Sequence, residues 1–87
     1  MKISFTDKGF AEYIEWQETD RTKVKKINEL IKSIIRDGLL KGIGKPERLK
    51  WIDAYSREID KSNRLVYRID KHSNLEIISC KGHYDDK

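Results

Sequence analysis

Four side chains in this sequence have the right chemistry to break a phosphodiester: Glu47, Arg64, His83 and Tyr84. Cleaving RNA without a metal needs a base to take the proton from the ribose 2′-hydroxyl. It also needs an acid to protonate the departing 5′-oxygen. A cation must hold the charge that grows on the phosphate, and arginine does this with planar paired donors. Glu47 is the candidate base, His83 the candidate acid and Arg64 the phosphate clamp, with the Tyr84 phenol beside the imidazole. Histidine suits the acid role because it titrates near neutrality. Spacing alone does not select this scheme. The residues are far apart in the chain, and any small basic domain offers some Glu, Arg and His.

The elements that would position them can be read from periodicity. Lys2-Ile3-Ser4-Phe5 alternates as a short strand. Thr6-Asp7 is a helix start signal, and a helix follows to about Gln17 with Phe10, Tyr13, Ile14 and Gln17 on one face. Thr19-Asp20 starts a second helix, with Val24, Ile27, Leu30, Ile31, Ile34 and Ile35 on one arc and Asp37-Gly38 at its end. Residues 38–50 hold Gly42, Gly44 and Pro46 and read as irregular. The period then changes to two. Strands are expected at 55–59, 64–69 and 75–80, separated by the turns Asp60–Asn63 and Asp70–Asn74. The order β-α-α-β-β-β predicts one α+β domain over residues 1–87, with a mainly antiparallel sheet and both helices on one face. In the 64–69 strand, Leu65, Tyr67 and Ile69 should face the helices, leaving Arg64, Val66 and Arg68 on the other side. Arg57 is expected to join that second face.

Composition narrows the partners. The chain has 87 residues, enough for one small domain with a modest core. Residues 1–20 hold two basic and five acidic side chains, a balance of −3, and residues 21–50 hold ten and three, a balance of +7. Residues 51–87 hold seven of each. Positive charge gathered in the middle third suits an anionic partner. Lys25, Lys26 and Lys32 read first as a solvated helix face. The single cysteine excludes an internal disulfide and fits a reducing compartment. No stretch reaches the length of a membrane span, and Met1 to Asp7 hold no apolar run of signal-peptide length, so the expected location is the cytoplasm. His72 reads as a solvated turn residue and Cys80 as a small buried one. Cys80 and His83 have half of a zinc spacing without the other ligands. Trp16 and Trp51 read as core or partner-facing.

Several stretches resemble the YoeB/Txe toxins of bacterial type II toxin–antitoxin systems, a branch of the RelE-like superfamily. They are Trp16-Gln17-Glu18-Thr19-Asp20, residues 24–32, Gly44-Lys45-Pro46-Glu47, Leu49-Lys50, Ser56-Arg57, Arg64-Leu65-Val66-Tyr67 and His83-Tyr84, in the family's order. The resemblance implies a RelE-like fold and a ribosome-dependent mRNA interferase. Such an endoribonuclease cuts in the ribosomal A site, without a cofactor, to a 2′,3′-cyclic phosphate and a 5′-hydroxyl. It implies Glu47 as base, Arg64 as transition-state arginine, His83 as acid and Tyr84 as the tyrosine that orders the site. Lys50 and Arg57 fall on positions implied to contact RNA. The implied partners are the ribosome and mRNA, a cognate YefM/Axe-like antitoxin with a wrapping segment, operator DNA through that antitoxin, and a second copy of the chain. The chain departs from the family pattern at Glu58, in a shortened 50–55 segment, at Tyr55 and in the terminal Asp85-Asp86-Lys87. A second reading is a toxin-like module without catalysis, acting as an antitoxin-binding corepressor. A third is an RNase independent of the ribosome.

Overall fold

The computed structural model describes residues 1–83. Seven elements follow one another: β1 (Ile3–Phe5), α1 (Asp7–Thr19), α2 (Arg21–Asp37), β2 (Glu47–Arg48), β3 (Tyr55–Glu58), β4 (Arg64–Ile69) and β5 (Leu75–Ser79). The five strands form one sheet in the order β1-β5-β4-β3-β2. Its central pairs are antiparallel, and β1 returns to lie parallel beside β5. The architecture is the expected α+β one. The added element is β2, which is two residues long and exposed on both, too short for an alternating pattern to register in the sequence.

The helices begin where the cap residues place them. Thr6 Oγ1 accepts the Gly9 N–H at 3.0 Å and donates to Ile78 O at 2.7 Å, so one hydroxyl caps α1 and ties it to β5. Asp20 serves both helices. Its N–H closes α1 on Trp16 O, and its carboxylate accepts from the N–H and hydroxyl of Thr22 at the start of α2. These bonds hold the Asp20 carboxyl below the usual range.

The main core lies between the helices and one face of the sheet. Ile27, Leu30, Ile31 and Ile34 of α2 and Trp16 of α1 pack on Leu65, Tyr67, Leu75 and Ile77. Each fully buried aliphatic side chain contributes roughly 1.5–3 kcal/mol. The face of α1 differs from the expected one. Phe10 and Ile14 are exposed, while Gly9 and Trp16 are the buried pair. A Cβ on Gly9 would stand 2.7 Å from Ile77 O, so the helix turns its glycine edge to the sheet and approaches closely. Trp16 completes that edge by donating its indole N–H to Cys80 O at 2.8 Å. On the opposite face a second, small cluster forms from Leu49, Ala54, Val66 and Ile78. That face holds the candidate site.

Candidate active site

Strand register decides which side chains share the site face. β3 and β4 pair Glu58 with Arg64, Arg57 with Leu65, Ser56 with Val66 and Tyr55 with Tyr67. Residues opposite each other point to the same side, so Ser56 and Glu58 lie with Arg64. Next along, β2 pairs Glu47 with Ser56. Three strands thereby deliver a carboxylate, a hydroxyl and a guanidinium to one place.

The contacts there are specific. Arg64 Nε donates to Ser56 Oγ at 3.0 Å, and Ser56 Oγ in turn approaches Glu47 Oε1 at 3.4 Å. Arg64 Nη2 lies 3.5 Å from the same Glu47 oxygen, a charge contact without hydrogen-bond geometry. Among the described residues, Arg64 Nη2 is a buried side-chain nitrogen with no hydrogen-bond acceptor. The Arg64 side chain is 12% exposed, and that of Glu47 is 61% exposed. One partner is thus fixed in the sheet with an unused donor, while the other stands open to solvent. Lys50 is exposed in the loop after β2. Leu49 and Ala54 of that loop pack on Val66. The loop is closed by Leu49 N–H on Ala54 O at 2.9 Å and an Arg48–Asp53 ion pair at 2.9 Å. Trp51 in the same loop is exposed.

The chain leaving β5 is held rather than frayed. Cys80 N–H donates to Glu12 Oε1 at 2.8 Å, and Lys81 pairs with Glu15 above the Trp16 ring. Arg64 N–H donates to Gly82 O at 3.0 Å, and Gly82 N–H donates to Asn63 Oδ1 at 2.8 Å. The exposed His83 follows directly. It therefore starts one residue beyond a main-chain bond to Arg64 itself. Tyr84, and the Asp85-Asp86-Lys87 extension, lie outside the described residues. Burial pushes the Cys80 thiol up to about 12, so it is an inert core group. Among the described residues, no group of three or more His, Cys, Asp or Glu side chains could hold a metal ion.

Arg57 is corrected by the structure. Expected on the open face to contact RNA, it is fully buried on the helix side. Its Nε donates to Tyr67 Oη at 2.9 Å and its Nη1 to Ser33 Oγ and Ile43 O, both at 2.9 Å. Its Nη2 donates to Gly38 O at 2.7 Å and Lys41 O at 2.6 Å. All five donors are used within the chain. The physical reason is register. A turn taken as Asp60–Asn63 pairs Ile59 with Arg64, whereas the chain pairs Glu58 with Arg64. A slip of one residue exchanges the two faces of a strand. Ser56 and Asn63 join the site without having stood out in the sequence. The same register would have found Ser56, whereas Asn63 gives no signal beyond its place in a turn.

Comparison with known proteins bears on the chain and its fold as a whole. Residues 5–84 match the profile of the YoeB-like toxin of bacterial type II toxin-antitoxin system. The Toxin YoeB of Synechocystis sp. is 48% identical, over 97% of this chain and 98% of that protein. The solved YoeB dimer from Staphylococcus aureus has a TM-score of 0.89 and 48% identity, covering 97% of this chain and 98% of that one. The YoeB–YefM complex from the same organism has a TM-score of 0.87 at 48% identity, with the same coverage.

Proposed function

Because the chain belongs to the YoeB-like toxins of bacterial type II toxin–antitoxin systems, we propose that it is a ribosome-dependent endoribonuclease cutting mRNA in the A site by general acid/base chemistry. The observation that supports this most is the unused Nη2 donor of Arg64, held 3.5 Å from the Glu47 carboxylate. Nη2 is sealed from solvent, so the exposed Glu47 side chain beside it swings aside as substrate enters. A phosphate oxygen then bound to that nitrogen, at about 2.9 Å, brings its ribose toward Glu47. Glu47 then removes the 2′-hydroxyl proton, and the new 2′-alkoxide attacks the adjacent phosphorus. Arg64 holds the charge on the pentacoordinate phosphate. His83 gives its proton to the departing 5′-oxygen, leaving a 2′,3′-cyclic phosphate and a 5′-hydroxyl. Ser56 keeps the guanidinium in plane with its target. Lys50 would bind the message backbone, and Tyr84 would order the leaving-group side.

The partners follow from the same reading. The toxin is neutralised by a YefM-like antitoxin whose acidic, apolar segment wraps it, and the toxin reaches operator DNA through that antitoxin. A groove of about 370 Å³ beside β1, lined by Ile3, Phe5, Tyr13, Ile31 and Ile35, offers apolar surface to such a segment. A second copy of the chain is the other expected partner. No helix among the described residues is long and apolar enough to cross a membrane.

The test is cleavage of a message on programmed ribosomes, with ends mapped by primer extension. Wild type should produce cuts in the A site, and Glu47→Ala and His83→Gln should each lose about 10²- to 10⁴-fold in rate. One observation favours the non-catalytic corepressor reading, namely Glu58, a carboxylate paired directly across from Arg64. That reading gains if wild type binds antitoxin tightly and leaves every message intact.

A further inference from the structure

Two hydrogen bonds converge on Gly82, the residue before His83. Its carbonyl is held by the Arg64 main chain at 3.0 Å, and its N–H by the Asn63 side chain at 2.8 Å. The Asn63 amide is itself fixed. Its Nδ2 donates to both oxygens of Asp60, at 3.0 and 3.1 Å. Asp60 pairs with Lys23 Nζ of α2 at 2.8 Å. Flipping the amide would set NH₂ against N–H and oxygen against carboxylate, so the whole network dictates its orientation. A chain of contacts therefore runs from α2 through the β3–β4 turn to the last main-chain anchor described before the imidazole.

Gly82 has a φ of +87°, and nothing stands within 4 Å of where a Cβ would be. A glycine in open space has wide freedom and holds a single geometry only when its peptide groups are tied. Cys80 and Lys81 are fixed from α1, but neither bond sets the direction in which the chain leaves Gly82.

We propose that Asn63 is a positioning residue for the C-terminal imidazole: it fixes Gly82, and so the point from which His83 reaches the site, without touching substrate. This rests on the nuclease reading above. Removing the amide leaves the turn intact. Asp60 Oδ1 still caps the N–H groups of Ser62 and Asn63, and Asn63 O still accepts from Ile59 N–H.

The experiment uses full-length Asn63→Ala, with amide exchange at Gly82 measured beside cleavage on programmed ribosomes. The amide should exchange at least about ten-fold faster, while those of β4 keep their protection. The kcat should fall about ten- to a hundred-fold with KM within about two-fold, as for a misplaced reacting group. In a His83→Gln background the same substitution should cost nothing further, because the two act as one unit. Unchanged Gly82 exchange in an active protein overturns the proposal alone, as does an equal kcat loss in both backgrounds or a change confined to KM. A wild type that cuts nothing sinks the nuclease reading and the proposal together.

Discussion

Arg57 and Arg64 sit on adjacent strands and face opposite sides of one sheet. Arg57 is sealed between β3 and α2, with every donor placed on an oxygen of the chain. Arg64 spends one nitrogen on Ser56 and leaves Nη2 unmatched beside an exposed carboxylate. Both are guanidinium groups of low exposure, so burial does not separate them. What does is whether their hydrogen bonds are complete. A buried donor left unmade costs about 1–3 kcal/mol, which the fold tolerates where an outside acceptor can recover it. A full set, as at Arg57, leaves nothing for a ligand.

Arg57 fixes the 38–44 loop, and the glycines of that loop show how tightly. Gly42 has a φ of +101°, and a Cβ there would meet Ser33 Oγ at 2.1 Å, while one on Gly44 would meet Leu30 at 2.6 Å. The largest expected effect follows from breaking this side. Arg57→Met would leave the carbonyls of Gly38, Lys41 and Ile43 without their donor and unpin the loop, while the Ser33 and Tyr67 hydroxyls keep Asp37 and Leu39 O as acceptors. At the cost of an unmatched group given above, the loss of folding stability should be on the order of 3–5 kcal/mol. Urea unfolding would measure it, and a loss below about 1 kcal/mol would show that the buried network holds little.

The second effect sharpens the contrast. Arg64→Met removes a guanidinium with one good hydrogen bond, so its stability cost should be small, about 1 kcal/mol. Its cleavage rate should fall about 10²- to 10³-fold, the usual cost of one electrostatic donor to the transition state. If the two substitutions traded outcomes, with Arg64→Met unfolding the chain and Arg57→Met only slowing it, the division of roles would be wrong.

How far these roles were legible in the sequence varies along the chain. The α2 arc and the alternation in β4 are strong periodic signals, and the structure follows them except at Ile35, which is exposed. The inward set Leu65, Tyr67 and the outward Arg64 came directly from that alternation. Local pattern could not supply register. In the 55–59 strand the apolar Tyr55 and Ile59 share a phase with Arg57, so the alternation points Arg57 to the helices. What the pattern leaves open is the turn length that sets which residues pair. The buried edge of α1 also departs from its apolar pattern. Phe10 and Ile14 look apolar, but Gly9 permits a closer approach than any side chain, and proximity to β5 won. The meeting of Glu47 with Arg64 was invisible to spacing. It depends on β2, whose two residues pair with β3 only after the chain has folded.

The smallest effect separates the two regions by acidity. Arg57 bonds to neutral carbonyls and hydroxyls, whereas the tail on the Arg64 side is held through the Asp60 carboxylate. The Lys23 ammonium bonded to it brings that carboxyl down to about 2, from 3.8. A folded pKa below the unfolded one gives stability that is full above the unfolded value and lost as pH falls through the folded one. Lys23 is raised above 10.5 by the same bond, so its share is full below that value and lost only in strong alkali. The difference in unfolding free energy between wild type and Asp60→Asn should therefore be flat from about pH 5 to 9 and shrink from about pH 4 toward pH 2. The protection factor of the Gly82 amide, its exchange compared with that of the unfolded chain at the same pH, should fall over the same acid range in wild type, because the Asn63 amide loses its charged anchor. In Asp60→Asn that fall should be absent, with the amide already weakly protected at pH 6. A wild-type difference that stays constant down to pH 2, with Gly82 still protected, would mean that Asp60 does not hold the tail. The Arg57 side is the comparison, since its five acceptors are neutral and the acid there, Asp37, held below 3.8 by Arg36 and Ser33, is bonded to Arg57 only through the Ser33 hydroxyl.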